Sequence, residues 1–176
     1  MELLILLVAG VVLLLSAGAT KTAPPPADES KALPKGLRIH NPMNVTPSPD
    51  GTWEGQIGVD GILAVFATDP EGLRAGMLNA LTQFVQEPGL SLKAFGDIWA
   101  PPGLNNASPG DYGRALATMM RVPDTSTIDP TNDAQLVSLG MAVITQEQGE
   151  QPFDVATLLA AARAAIDYRN THPLVG

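Results

Sequence analysis

DAQLVSLGMAVITQEQ, residues Asp133–Gln148, is the stretch whose reading decides the fold. On a helical wheel Leu136, Val137, Leu139, Met141, Ala142, Val143 and Ile144 are apolar on every side, and such a helix is normally buried all round. It is therefore expected at the centre, with other elements packed around it. Working toward the C-terminus, Asp154 reads as the cap of a final Ala-rich helix reaching about Tyr168. On the N-terminal side a polar loop precedes residue 133. Before it, Ser108-Pro109-Gly110-Asp111 opens a helix with Tyr112, Leu116, Met119 and Met120 as its apolar positions, ending at Pro123. Ser91–Trp99 reads as a short helix stopped by Pro101-Pro102. Asp69-Pro70-Glu71 places a capping residue and a first-turn proline before Leu73, Met77, Leu81, Phe84 and Val85, which share one face until Pro88-Gly89.

Upstream of these helices the pattern changes. Leu37–Val45 and Thr52–Ala67 read as β-like, and Asp60-Gly61 between two apolar runs is a hairpin signal. The expected class is α+β, mostly α: a small β-hairpin region beside a helical domain over residues 36–176.

Residues 3–20 form an uncharged, largely apolar run. At 1.5 Å per residue it reaches roughly 27 Å, about the thickness of a bilayer's hydrocarbon. Residues 1–20 are read first as a retained transmembrane anchor, because Met1-Glu2 lacks the basic n-region of a signal peptide. The alternatives are a signal peptide cleaved after Ala17-Gly18-Ala19, and a buried core helix. Lys21, Lys31 and Lys35 bias the C-terminal side of this run toward the cytoplasmic leaflet. Residues 21–35, with Pro24-Pro25-Pro26, read as an extended linker.

Composition excludes much chemistry. Ten Lys+Arg against 18 Asp+Glu give a net charge of −8, which disfavours nucleic acid as a partner. With no Cys and only His40 and His172, thiolate chemistry and His-rich metal sites drop out, and no cofactor or metal is expected. Carboxylate chemistry remains. Asp69, Asp111, Asp133 and Asp154 are explained by the first turns of helices, and Asp60 and Asp124 by turns. Glu147 is different. It ends the apolar helix just before Gly149, where partial desolvation and the negative end of the helix dipole favour its neutral form, as a general acid requires. The competing reading is a solvated helix end with Gly149 as a plain C-cap. Glu150 offers a second carboxylate nearby, and Glu54, beside Trp53, a third that could face a cleft.

Read together, several motifs resemble one family. Arg38-Ile39-His40-Asn41-Pro42-Met43-Asn44-Val45 is similar to the R-x-x-N-P-G-N-I opening of phage virion-associated lysozyme-like proteins, described as peptidoglycan transglycosylases or lysins. Trp53-Glu54-Gly55, the stretch Phe66–Ala75, Trp99–Pro102, Tyr112 and Glu147-Gln148-Gly149-Glu150-Gln151-Pro152-Phe153 follow in the family's order. Met43 departs from the family's Gly. The Pro of the F-x-x-P stretch moves to Pro70, and the acid expected after W-A-P-P is missing from Gly103–Ser108.

The resemblance implies a lysozyme-like domain with Glu147 as catalytic acid. It further implies that Arg38, Asn41, Asn44, Trp53, Trp99, Tyr112 and Glu150 hold a glycan strand of peptidoglycan. Residue by residue, blander roles compete: Asn41 and Asn44 as turn formers around Pro42, Arg38 as an ion-pair partner, Trp53 and Trp99 as core. Two functions are therefore weighed. One is a single-pass, phage virion-associated lysozyme or lytic transglycosylase in the virion membrane or host inner membrane. The other is a non-catalytic structural membrane protein of a lipid-containing virion, whose partners would be the bilayer and capsid proteins.

Overall fold

The computed structural model describes residues 33–48, 53–103 and 108–172. Among these the elements run α1 (Lys35–Arg38), β1 (Gln56–Asp60), β2 (Leu63–Phe66), α2 (Asp69–Gln86), α3 (Leu92–Trp99), α4 (Asp111–Met120), α5 (Asp133–Gln148) and α6 (Val155–Thr171). The protein is mostly helical, with one two-stranded antiparallel sheet. The apolar run 3–20 and most of the linker lie outside the described residues. Among the described residues no helix is long and apolar enough to cross a membrane.

Helix boundaries follow local chemistry. Ser91 caps α3 by accepting from the Ala94 N–H, Asn132 caps α5 from Gln135, and Asp154 caps α6 from Thr157 at 2.7 Å. The Thr157 N–H holds the Asp154 carboxyl below its ordinary range. That contribution to stability is therefore present at neutral pH and is lost as pH falls through the lowered value. Asp69 departs from its expected role. Thr68 occupies the N-cap, Asp69 is the first helical residue, and its Oδ1 accepts from His40 Nδ1 at 2.8 Å. A carboxylate only accepts, so Nδ1 is the donor in this bond.

The expected strand at Leu37–Val45 is corrected. Residues 35–38 form a helical turn, and the chain then follows β2 without joining its ladder. The Phe66 N–H donates to Ile39 O and the Ala64 N–H to Val45 O. Between those two bonds, His40 (φ 54°) and Asn44 (φ 53°) take left-handed conformations, and Pro42 has no N–H to offer. Extended pairing cannot run through three such residues. Within 53–67 the strands are confined to β1 and β2, and Gly61 (φ 66°) turns the hairpin with its left-handed backbone.

Asn41 stitches this segment together. Fully buried, it donates from Nδ2 to Val45 O and Ala64 O, both at 2.8 Å, and its Oδ1 accepts from the Val45 N–H at 2.9 Å. Asn41→Ala strands the buried Val45 N–H and is expected to cost about 3 kcal/mol, read as a lowered urea midpoint with an unchanged m-value.

Helix α5 touches α1, α2, α4 and α6, while α2 packs most extensively along α6. Leu136, Leu139, Val143 and Ile144 of α5 are fully buried with Met77 and Leu158. Side chains of this size contribute about 1.5–3 kcal/mol each on burial. The helix is not dry all round: Ala134 and Ser138 are exposed, and Met141 and Thr145 are half-buried in the same row. Glycine notches let the helices approach closely. A Cβ on Gly140 would meet the Met77 side chain, and one on Gly76 would meet Met43. The Met43 side chain, where the resembled family has glycine, is thus fully buried against α2.

Candidate functional site

Glu147 is the penultimate residue of α5, two residues before Gly149 (φ 76°) reverses the chain. The burial that closes the rest of the helix fades here, and the side chain is half-buried. Both carboxylate oxygens receive hydrogen bonds. The Tyr112 hydroxyl donates to Oε1 at 2.5 Å, and Asn44 Nδ2 donates to Oε2 at 2.7 Å. These partners stand 35 and 103 residues away in sequence. Three separate pieces of chain, α4, α5 and the left-handed turn at Asn44, therefore converge on one acid.

Each donor is itself positioned. Asn44 is aimed by its own N–H bond to Asn41 O and by Gln148, whose Nε2 donates to Pro42 O at 2.8 Å and to Asn44 Oδ1 at 3.3 Å. Gln148 is buried, and Gly36 makes room for it: a Cβ there would lie 2.3 Å from Gln148 Nε2 and 2.6 Å from Asn44 Oδ1. Tyr112 is carried by the helix that crosses α3 at Gly96 and Gly113, where the two backbones nearly touch. Trp99 packs against Phe95, with ring centroids 5.4 Å apart, and is half-buried.

The Tyr112 hydroxyl is held neutral well above the ordinary phenol range. Burial is the main cause, followed by the Glu147 charge and the hydrogen bond to it, while the adjacent Trp99 acts weakly the other way. Tyr112 therefore donates throughout the working pH range. The sign of the stability effect follows. A folded-state value above the unfolded value of about 10 means that the contribution is intact below pH 10 and lost above it. The loss is expected to be about 1.4 kcal/mol per pH unit. Urea midpoints across this alkaline range should fall less steeply for Tyr112→Phe than for wild type, and equal slopes would contradict the assignment.

The remaining sequence candidates are dispersed. Arg38 is exposed and takes no ion-pair partner among the described residues. Asn41 spends its whole amide on backbone. Glu150 is exposed beyond Gly149. Trp53 donates from Nε1 to Thr46 O at 2.8 Å and lines a different cavity, of about 460 Å³, between α2 and the end of α6. Glu54 pairs with Arg74 at 2.5 Å beside it.

Other acids are also occupied. Asp97 accepts from the Gly110 N–H, and Asp111 pairs with Arg114, which with the Ser108 N–H holds the Asp111 carboxyl below its usual range. Among the described residues no group of three or more His, Asp or Glu is placed to hold a metal. The arrangement around Glu147 is thus a half-buried carboxyl group with one side-chain donor on each oxygen.

Sequence reasoning passed over Gln148 and Gly36. A buried glutamine has no periodic signature, and the glycine's role is visible only from what a Cβ there would strike. No protein-family model matches the chain, and no curated protein matches it significantly.

Proposed function

We propose that this chain cleaves the glycan strands of peptidoglycan as a lytic transglycosylase of the lysozyme-like type. In this proposal it is carried on a phage virion and held at a membrane by residues 1–20. The observation that carries the reading is the half-buried Glu147 carboxyl bound by Tyr112 at 2.5 Å and Asn44 at 2.7 Å. The contact with Tyr112 serves both states of an acid–base cycle. As a carboxylate, Glu147 accepts from the hydroxyl; when Glu147 carries the proton, the phenol oxygen can accept it until substrate takes its place as acceptor, since a phenol does both. Asn44 keeps the other oxygen fixed in either state. Glu147 protonates the glycosidic oxygen as the bond breaks, then takes a proton from the attacking hydroxyl.

Transglycosylation is preferred over hydrolysis because, among the described residues, no second acid joins the cluster. A retaining or inverting hydrolase sets a second carboxylate across the scissile bond. Here Glu54, Asp97 and Asp111 are engaged elsewhere and Glu150 faces solvent. When the sugar's own hydroxyl attacks, one proton-carrying group is enough. Mass spectrometry of the products tests this: strands ending in an internal anhydro ring are expected, and reducing ends formed with uptake of water would contradict it.

A second reading, a non-catalytic structural protein of a lipid-containing virion, is favoured by a different observation. The two cavities along α2 and α6 do not include Glu147 in their linings. On that reading the Tyr112–Glu147–Asn44 bonds tie three chain segments together. The protein would then be recovered in purified particles and leave peptidoglycan intact.

A further inference from the structure

Two recesses of the described surface lie away from Glu147. One, of about 460 Å³, opens between α2, the end of α6 and the segment at Thr46–Ser48. A second, of about 490 Å³, continues between the first turns of α2 and the Ala160–Ala164 face of α6. Glu54 and Arg74 line both, so their ion pair stands where the two meet. Together the recesses follow α2 from Pro70 to Gln86, roughly 24 Å at 1.5 Å per residue. A seam of that length suits an extended polymer better than a compact metabolite.

The chemistry of the first recess narrows the ligand. Asn79, Thr82, Gln83 and Gln86 recur at helical spacing along its α2 wall. Amides and hydroxyls both donate and accept, as sugar hydroxyls and acetamido groups do. Trp53 supplies an aromatic surface, half-buried and anchored through its Nε1. Arg169 adds charge: one of its terminal nitrogens is buried with no hydrogen-bond partner among the described residues, while the other donates to His172 O. A buried, unpartnered guanidinium nitrogen costs stability unless an acceptor reaches it. In a chain of net charge −8 this is a notable place for an anion to be welcomed.

We propose that the α2–α6 seam is a holding site for a carboxylate-bearing glycan strand, separate from the Glu147 cluster. The choice of a peptidoglycan strand rests on the functional reading above. The seam holds one stretch of polymer while another reaches the acid, so it acts on affinity and not on the bond-breaking step.

The two tryptophans make the test specific, because the chain has only Trp53 in the seam and Trp99 beside Tyr112. The full chain carrying Glu147→Gln is titrated with peptide-free glycan strands, with Trp99→Phe leaving Trp53 as the reporter, and with Trp53→Phe leaving Trp99. A saturable change in Trp53 emission is expected. It should weaken about tenfold in Asn79→Ala/Gln83→Ala, a double variant expected to keep the wild-type melting temperature. Neutral chito-oligosaccharides of equal length should bind about tenfold more weakly than the carboxylate-bearing strands.

A silent Trp53 with a responsive Trp99 overturns the proposal, and so does a Trp53 response to free stem peptide in place of glycan. Equal binding of neutral and acidic strands overturns the role given to Arg169. Failure of the functional reading looks different: Trp53 responds and the double variant weakens the response about tenfold, yet wild type cleaves nothing.

Discussion

Glu147→Gln lowers glycan-strand cleavage by about 10²–10⁴-fold, the range expected when a general acid is removed. Its effect on folding is small, which separates chemistry from structure. A glutamine in the same place still accepts from Asn44 through Oε1. Its amide then donates to the Tyr112 oxygen, so the 2.5 Å contact reverses direction without breaking. The melting temperature should stay within a degree or two of wild type, while release of soluble fragments from purified peptidoglycan collapses. Glu147→Asp keeps an acid but withdraws it by one methylene, and misplacement on that scale is itself expected to cost about 10²-fold. Wild-type cleavage by the glutamine variant would end the assignment of Glu147 as the acid. A variant that is inactive and also unfolded would place Glu147 in the scaffold instead.

Gly113→Ala is the second large effect, and it falls on the fold. Here α3 and α4 cross with backbone against backbone. A Cβ on Gly113 would sit 2.2 Å from Leu92 O and 2.5 Å from Lys93 Cα, and one on Gly96 would sit 2.2 Å from Gly113 N. No flexible side chain is available to move aside, in contrast to Gly140, where the end of Met77 can yield. The helices must separate or unfold, at about 3 kcal/mol or more. For a domain of this size that corresponds to a fall in melting temperature on the order of 10 °C. Gly58→Ala, where an added Cβ meets nothing within 4 Å, serves as the control and should change little. Because Tyr112 adjoins Gly113, the same substitution shifts the donor on Glu147. Residual activity in any folded fraction should therefore drop as well. A Gly113→Ala protein as stable as wild type would mean that the two helices do not cross this closely.

The helices α2 to α6 were legible because their limits are set by neighbours in sequence. Ser91, Asn132 and Asp154 cap from within three residues, Pro70 opens α2, and Pro88 and Gly149 follow helix ends. Residues 37–45 were misread as a strand because their alternation of apolar side chains carries no sign of two non-glycine residues at positive φ. Those conformations persist because Asn41 and Gln148 hold the loop through bonds to distant backbone and side chains. The resemblance named Asn44, Tyr112 and Glu147, yet it grouped Trp53 with them. The structure puts Trp53 in another recess, because its indole is tied to the O of Thr46, a residue that lines that recess with it.

Sequence by itself determined the mostly helical class, the hairpin, the Asp154 cap and the apolar centre of α5, since these depend on propensity, periodicity and hydrogen bonds spanning a few residues. Tertiary structure alone decided which side chains meet Glu147, that Gln148 lies buried beneath Asn44, and that a polar seam opens beside α2. Contacts across 35 or 103 residues depend on how closely helices can approach. That closeness is governed by bare backbone at Gly36, Gly96 and Gly113, where the decisive feature is an atom that is not there.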